Sequence, residues 1–147
     1  TLARGWGDQM SQATFSVTAS EYTMTAQVQQ IGPDVMINII GGDHPHIGTV
    51  TTFGVATALA TVRFPSHDGR VHKDDVLATM VAQQIKPQIT GSCTITAGVH
   101  VDQISQEQIN AAAGMVQKLG QQISAWLVAN PVIGSGPQYY SDNEQPK

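Results

Sequence analysis

The apolar residues of this chain change their spacing part-way along it, and that change restricts the fold more than any other feature. Phe15, Val17 and Ala19 alternate with Ser16 and Thr18, and Tyr22, Met24, Ala26 and Val28 resume the alternation after an interruption at Ser20 and Glu21. A period of two marks a half-buried strand, here bent or bulged at the interruption. Gly32, Pro33 and Asp34 make a turn, because Pro33 fixes φ and Gly32 tolerates a positive one. Residues 35–40 then read as a second strand closing a hairpin. The β-branched stretch 49–56 reads as a third.

After that the period becomes helical. Asp74 and Asp75 open a pattern that puts Leu77, Met80, Val81 and Ile85 on one face, and acids there suit the positive end of the helix dipole. Pro87 ends the helix. Cys93, Ile95 and Ala97 alternate with Thr94 and Thr96 as a fourth strand over 92–98. Ser105 and Gln108 then form a capping box ahead of Ile109, Ala112, Ala113, Val116, Leu119, Ile123, Trp126 and Leu127, which hold the helical period for five turns. Gly114 and Gly120 weaken that helix and hint at a close-packed backbone from another subunit.

The order β-β-β-α-β-α, opened by an antiparallel hairpin, predicts an α+β fold: one mixed sheet with both helices on one face. The other face is left semi-apolar and threonine-rich, which favours packing on a second copy. The 147 residues correspond to one domain over 1–130, with its core at about 14–128 and a Gly/Pro-rich tail over 131–147.

Charged residues make up only 12% of the chain and the net charge is -4, so nothing draws it to nucleic acid or anionic lipid. Cys93 is the single cysteine, which excludes an internal disulfide; in its apolar alternation it reads as an inert core residue. The longest apolar run, 35–40, is far short of the roughly 20 residues that span a bilayer, and residues 1–8 lack the pattern of a signal peptide. Cytoplasm is the expected compartment. No serine-nucleophile motif, phosphate-binding loop or dinucleotide fingerprint stands out.

The residues with chemical range gather at element ends. Gly41, Gly42, Asp43, His44, His46 and Gly48 follow the second strand, and paired glycines there suit a small anion nest. His72, Lys73 and Asp74 lead into the first helix, where free N–H groups and a positive potential favour an anion. His100 and Asp102 follow the fourth strand, two apart on one face. Each group alone reads as easily as a solvated turn or a helix cap. Together they predict a shared site holding His46, His72 and His100 with Asp43, Asp74 and Asp102 nearby. Such a set suits Zn²⁺, Fe²⁺ or Mn²⁺, or a phosphorylated ligand gripped by imidazole, ammonium and backbone N–H groups.

Three of these segments, Gly-Gly-Asp-His-Pro-His-Ile-Gly at 41–48, His-Lys-Asp-Asp at 72–75 and Ala-Gly-Val-His-Val-Asp at 97–102, resemble the LpdD-like proteins in the same order and ahead of the same long helix. The resemblance covers about 14–128. It implies a non-catalytic chaperone that binds prenylated FMN, or FMN itself, and delivers it to a UbiD-like apo-decarboxylase, with a flavin prenyltransferase as a further partner. The family pattern at 44 is basic without always being histidine, so His46 carries over and His44 does not. The implied binding set is Gly41, Gly42, Asp43, His46, Gly48, His72, Lys73, Asp74, His100 and Asp102. Met36, Phe53 and Phe64, with residues of a neighbouring subunit, are the candidates for a flat apolar surface under the ring system. A His/Asp metalloenzyme using a divalent metal, and a ligand-free structural subunit of a decarboxylase, are the competing readings.

Overall fold

The computed structural model describes residues 10–66, 74–132 and 136–147. Six strands form one mixed sheet in the order β1-β2-β3-β6-β4-β5. The strands are β1 (Met10–Ala19), β2 (Tyr22–Ile31), β3 (Asp34–Gly42), β4 (Thr49–Gly54), β5 (Thr57–Arg63) and β6 (Ser92–His100); α1 (Asp75–Ile85) precedes β6 and α2 (Gln106–Ala129) follows it. The α+β class and the mixed sheet agree with the sequence reading, but the element order is β-β-β-β-β-α-β-α.

Two corrections account for the extra strands. The interruption at Ser20 and Glu21 is a two-residue hairpin turn, not a bulge: both residues have positive φ, 50° and 69°, as the tightest hairpin turns demand. Val17 therefore faces Met24 across an antiparallel pair. The second correction is β5, which pairs with β4 in a hairpin of its own, Thr51 opposite Thr61. The turn at Gly32 and Pro33 matches its reading, with Gly32 at φ 58° and β2 antiparallel to β3.

β6 is the strand that makes the sheet mixed. It runs parallel to β3, with Ile37 beside Ile95, and antiparallel to β4, with Thr51 beside Ile95. Alternate residues of the central strands point to one side and are buried there: Met24, Ala26 and Val28 from β2, Ile37 and Ile39 from β3, Ile95 and Ala97 from β6. Both helices lie on that side. α1 packs over β4 and β6, α2 over β1 and β2, and the two helices pack against each other. Val81 and Ile85 of α1 and Val116, Leu119 and Ile123 of α2 fill the space between.

α2 starts at the capping box read from sequence: the Ser105 hydroxyl accepts the Gln108 N–H at 3.1 Å, and the Gln108 side chain accepts the Ser105 N–H at 3.0 Å. Its far end is tied to the sheet by buried Gln30, whose amide donates to the Asn130 carbonyl at 2.7 Å. Gly120 does admit a close neighbour, but from within the chain. A Cβ there would overlap the side chain of Gln84 on α1, whose amide donates to the Gln117 carbonyl at 3.0 Å. Gly114 has open space beside it. No helix among the described residues is long and apolar enough to cross a membrane.

Candidate functional site

Beyond Gly42 the chain does not leave the sheet freely but is laced onto the end of β6. The N–H groups of Asp43 and His44 both donate to the His100 carbonyl, His46 N–H donates to Gly98 O at 3.4 Å, and Gly48 N–H donates to Ala97 O at 2.9 Å. Two glycines permit this approach. A Cβ on Gly98 would overlap the His46 carbonyl, and one on Gly42, whose φ is 78°, would overlap the His100 carbonyl. The Gly48 carbonyl accepts the Phe64 N–H at 2.8 Å, which brings the end of β5 to the same place.

The result is an open cleft of about 750 Å³ at one end of the sheet. Its lining among the described residues combines apolar Ile47, Phe64, Pro65 and Val99 with the imidazoles of His44, His46 and His100 and the carboxylate of Asp102, alongside Pro45 and Ser66.

The imidazoles are organised by carboxylates. Asp102 spans two histidines, its Oδ2 at 3.1 Å from His44 Nε2 and its Oδ1 at 3.0 Å from His100 Nε2. The two rings stand 5.5 Å apart, tilted by 54°. Hydrogen bonds from His44 and then His100 hold the Asp102 carboxyl below the ordinary carboxylate value. Asp43 steadies the turn from outside the cleft by accepting the Asp102 N–H at 2.8 Å.

Asp74, at the start of α1, plays a second bridging part. Its Oδ1 accepts the Val99 N–H at 3.2 Å, and its Oδ2 lies 3.4 Å from His46 Nε2. The His46 ring has its other nitrogen, Nδ1, 2.9 Å from the His44 carbonyl, which can only accept, so Nδ1 carries a proton. Arg63 Nη2 and Asp75 Oδ2 meet at 2.8 Å, joining the end of β5 to the beginning of α1.

The structure thus gathers Asp43, His46, Asp74, His100 and Asp102 into one neighbourhood. His72 and Lys73 lie outside the described residues. Gly41, Gly42 and Gly48 serve differently from the expected anion nest. Gly41 and Gly42 are strand residues in register with Val99 and His100, and the loop N–H groups of 43, 44, 46 and 48 are spent on β6 carbonyls. His44 joins the cleft, although the family pattern set it aside. Of the apolar candidates only Phe64 lines it; Phe53 is 4% exposed in the core, and Met36 lies on the sheet's outer surface in a separate depression. Ile47, Pro65 and Val99 carried no chemical signal in the sequence. Among the described residues no group of three or more His, Cys, Asp or Glu side chains is placed to hold a metal ion.

Comparison with known proteins decides the family. Residues 18–128 match the model of the prenylated flavin chaperone LpdD-like domain. The chain belongs to that family. It is 50% identical over 135 residues to Protein LpdD of Lactiplantibacillus plantarum, covering 92% of this chain and 99% of that one. A chain of a crystal structure of a novel chaperone complex for yeast 20S proteasome assembly also matches, at 9% identity and a TM-score of 0.49, over 82% of this chain and 98% of that one. Membership puts this LpdD-like protein among chaperones and accessory proteins, not enzymes, and a chaperone works on a partner protein.

Proposed function

We propose that this LpdD-like protein binds prenylated FMN in the cleft between loop 43–48, residues 64–66 and the end of β6, and passes it to a UbiD-like apo-decarboxylase. The observation that carries the reading is the mixed lining of the cleft, apolar side chains together with imidazoles. A prenylated flavin combines an extended, largely apolar ring system with a phosphate. Ile47, Phe64, Pro65 and Val99 offer the first apolar surface, and the imidazoles of His44, His46 and His100 offer the second ring nitrogens for hydrogen bonds. The volume, about 750 Å³, falls within the range of roughly 300–1,000 Å³ usual for small-molecule sites.

The residues that hold such a ligand are therefore His44, His46 and His100, with Asp102 and Asp74 orienting the rings. Lys73, on the segment before α1, adds an ammonium in the family pattern. Among the described residues Phe64 is the one aromatic side chain in the lining besides the histidines, so ring stacking is limited and the grip is moderate. That suits a carrier, which must let its cargo go. A flavin prenyltransferase is the upstream source and the apo-decarboxylase the recipient.

The test is retention. Purified protein mixed with prenylated FMN is desalted, and the absorbance of the flavin is followed. Wild type keeps the chromophore, whereas His46→Ala, His100→Ala and Lys73→Ala lose it in part or in full. Colourless wild-type protein after loading at high ligand concentration rejects the proposal.

A further inference from the structure

Among the described residues no element covers the face of the sheet opposite the helices, and its chemistry is unusual for a surface left in water. Between the strand ends, no outward residue of the six strands carries a charge. The charged or titratable exceptions are terminal: Asp34, whose carboxylate accepts the Ser92 N–H at 2.8 Å, and His100 in the cleft. Hydroxyl and amide side chains dominate, and several are already paired across strands, Ser16 with Thr25 at 2.9 Å, Thr18 with Thr23 at 2.7 Å and Thr96 with Asn38 at 2.7 Å. Groups so paired cost little to remove from water. Towards β4 and β5 the face becomes apolar, with Val62 exposed there, and Met36 is exposed on β3.

We infer that this face is a two-fold interface with a second copy of the chain. Three arguments select a copy of itself. A neutral face has no charge pattern for an oppositely charged partner to read. Its hydroxyl and amide groups both donate and accept, so the face is complementary to itself, as an isologous contact requires. Six strands about 4.8 Å apart, rising about 3.3 Å per residue, give it an area on the order of 700 Å², close to the roughly 800 Å² per partner of a stable interface.

The interface also reaches the cleft. A depression of about 280 Å³ on this face is lined by Gln27, Asn38 and Ile40 on one side and by Pro45, His46 and Ile47 on the other. The last three residues line the cleft as well. Loop 43–48 is thus a ridge with the cleft on one flank and the interface on the other, and a second copy seated on the face braces it. This last part rests on the cofactor reading; the association itself does not.

The experiment is sedimentation velocity on the full chain without ligand, over a wide concentration range. Wild type is expected to sediment at twice the chain mass. Gln27→Lys places a charge on this face midway along β2, at a position exposed in the single chain, and is expected to weaken the dimer at least about tenfold with an unchanged circular dichroism spectrum. Gln83→Lys, on the exposed side of α1, is expected to leave the mass unchanged. Monomeric wild type at every concentration overturns the inference, as does a wild type that associates only when a decarboxylase is added. A Gln27→Lys protein as dimeric as wild type overturns the assignment to this face. No flavin enters these measurements, so their failure is separate from failure of the cofactor reading.

Discussion

The carbonyl of His46 lies directly over Gly98, in the space a Cβ atom would take. This contact joins the histidine loop to the central strand β6, and it makes Gly98 a condition of the cleft rather than a bystander in it. Gly98→Ala forces loop 43–48 away from β6, at a cost of about 1–3 kcal/mol and with loss of flavin retention. Gly114→Ala is the contrast, since that helical position has open space beside it; it gains about 0.5–1 kcal/mol and leaves retention unchanged. Chemical denaturation of the two variants against wild type checks the pair of signs.

Asp102 provides a second test, through titration. Its carboxyl is held below the ordinary 3.8 by donation first from His44 and then from His100. A value depressed by folding means that the stabilising contribution is present above that ordinary value and disappears as pH falls through the folded one. Removing a donor must raise it. Carbonyl-detected NMR should find Asp102 titrating below 3.8 in wild type, higher in His44→Ala, and higher again in the His44→Ala/His100→Ala double variant. An Asp102 value unmoved by both changes contradicts the bridge.

Cys93 supplies a third. Burial pushes its thiol up to about 12, so no thiolate forms near neutral pH in the folded protein. Ellman's reagent should fail to label the native protein at mildly alkaline pH, and labelling should appear with the global unfolding transition in urea. Fast labelling without denaturant would place Cys93 outside the core.

Much of this fold was legible because the responsible residues act locally. Pro33 and Gly32 define their turn, Ser105 and Gln108 cap α2, and the inward residues of β6 alternate cleanly. Ser20 and Glu21 concealed a hairpin because neither is the glycine or asparagine that usually marks such a turn. β5 concealed itself for another reason: six of its seven residues are exposed, so no buried face imposes an alternation on Thr57–Arg63. Phe64 was named from the sequence as an apolar candidate, but its route to the cleft, a backbone bond to Gly48 just past β5, was not visible without that strand. The histidines and aspartates showed their chemistry in the sequence. Ile47, Pro65 and Val99 could not, because an apolar side chain becomes a pocket wall only through its tertiary neighbours.

The measurement closest to the central claim is amide chemical-shift mapping of the isotope-labelled protein as prenylated FMN is added. The cleft described here predicts saturable shifts concentrated in residues 43–48, 64–66 and 98–102, with small changes along α2. An unchanged spectrum at saturating flavin, or shifts centred on α2 and β1 with loop 43–48 unaffected, would contradict it.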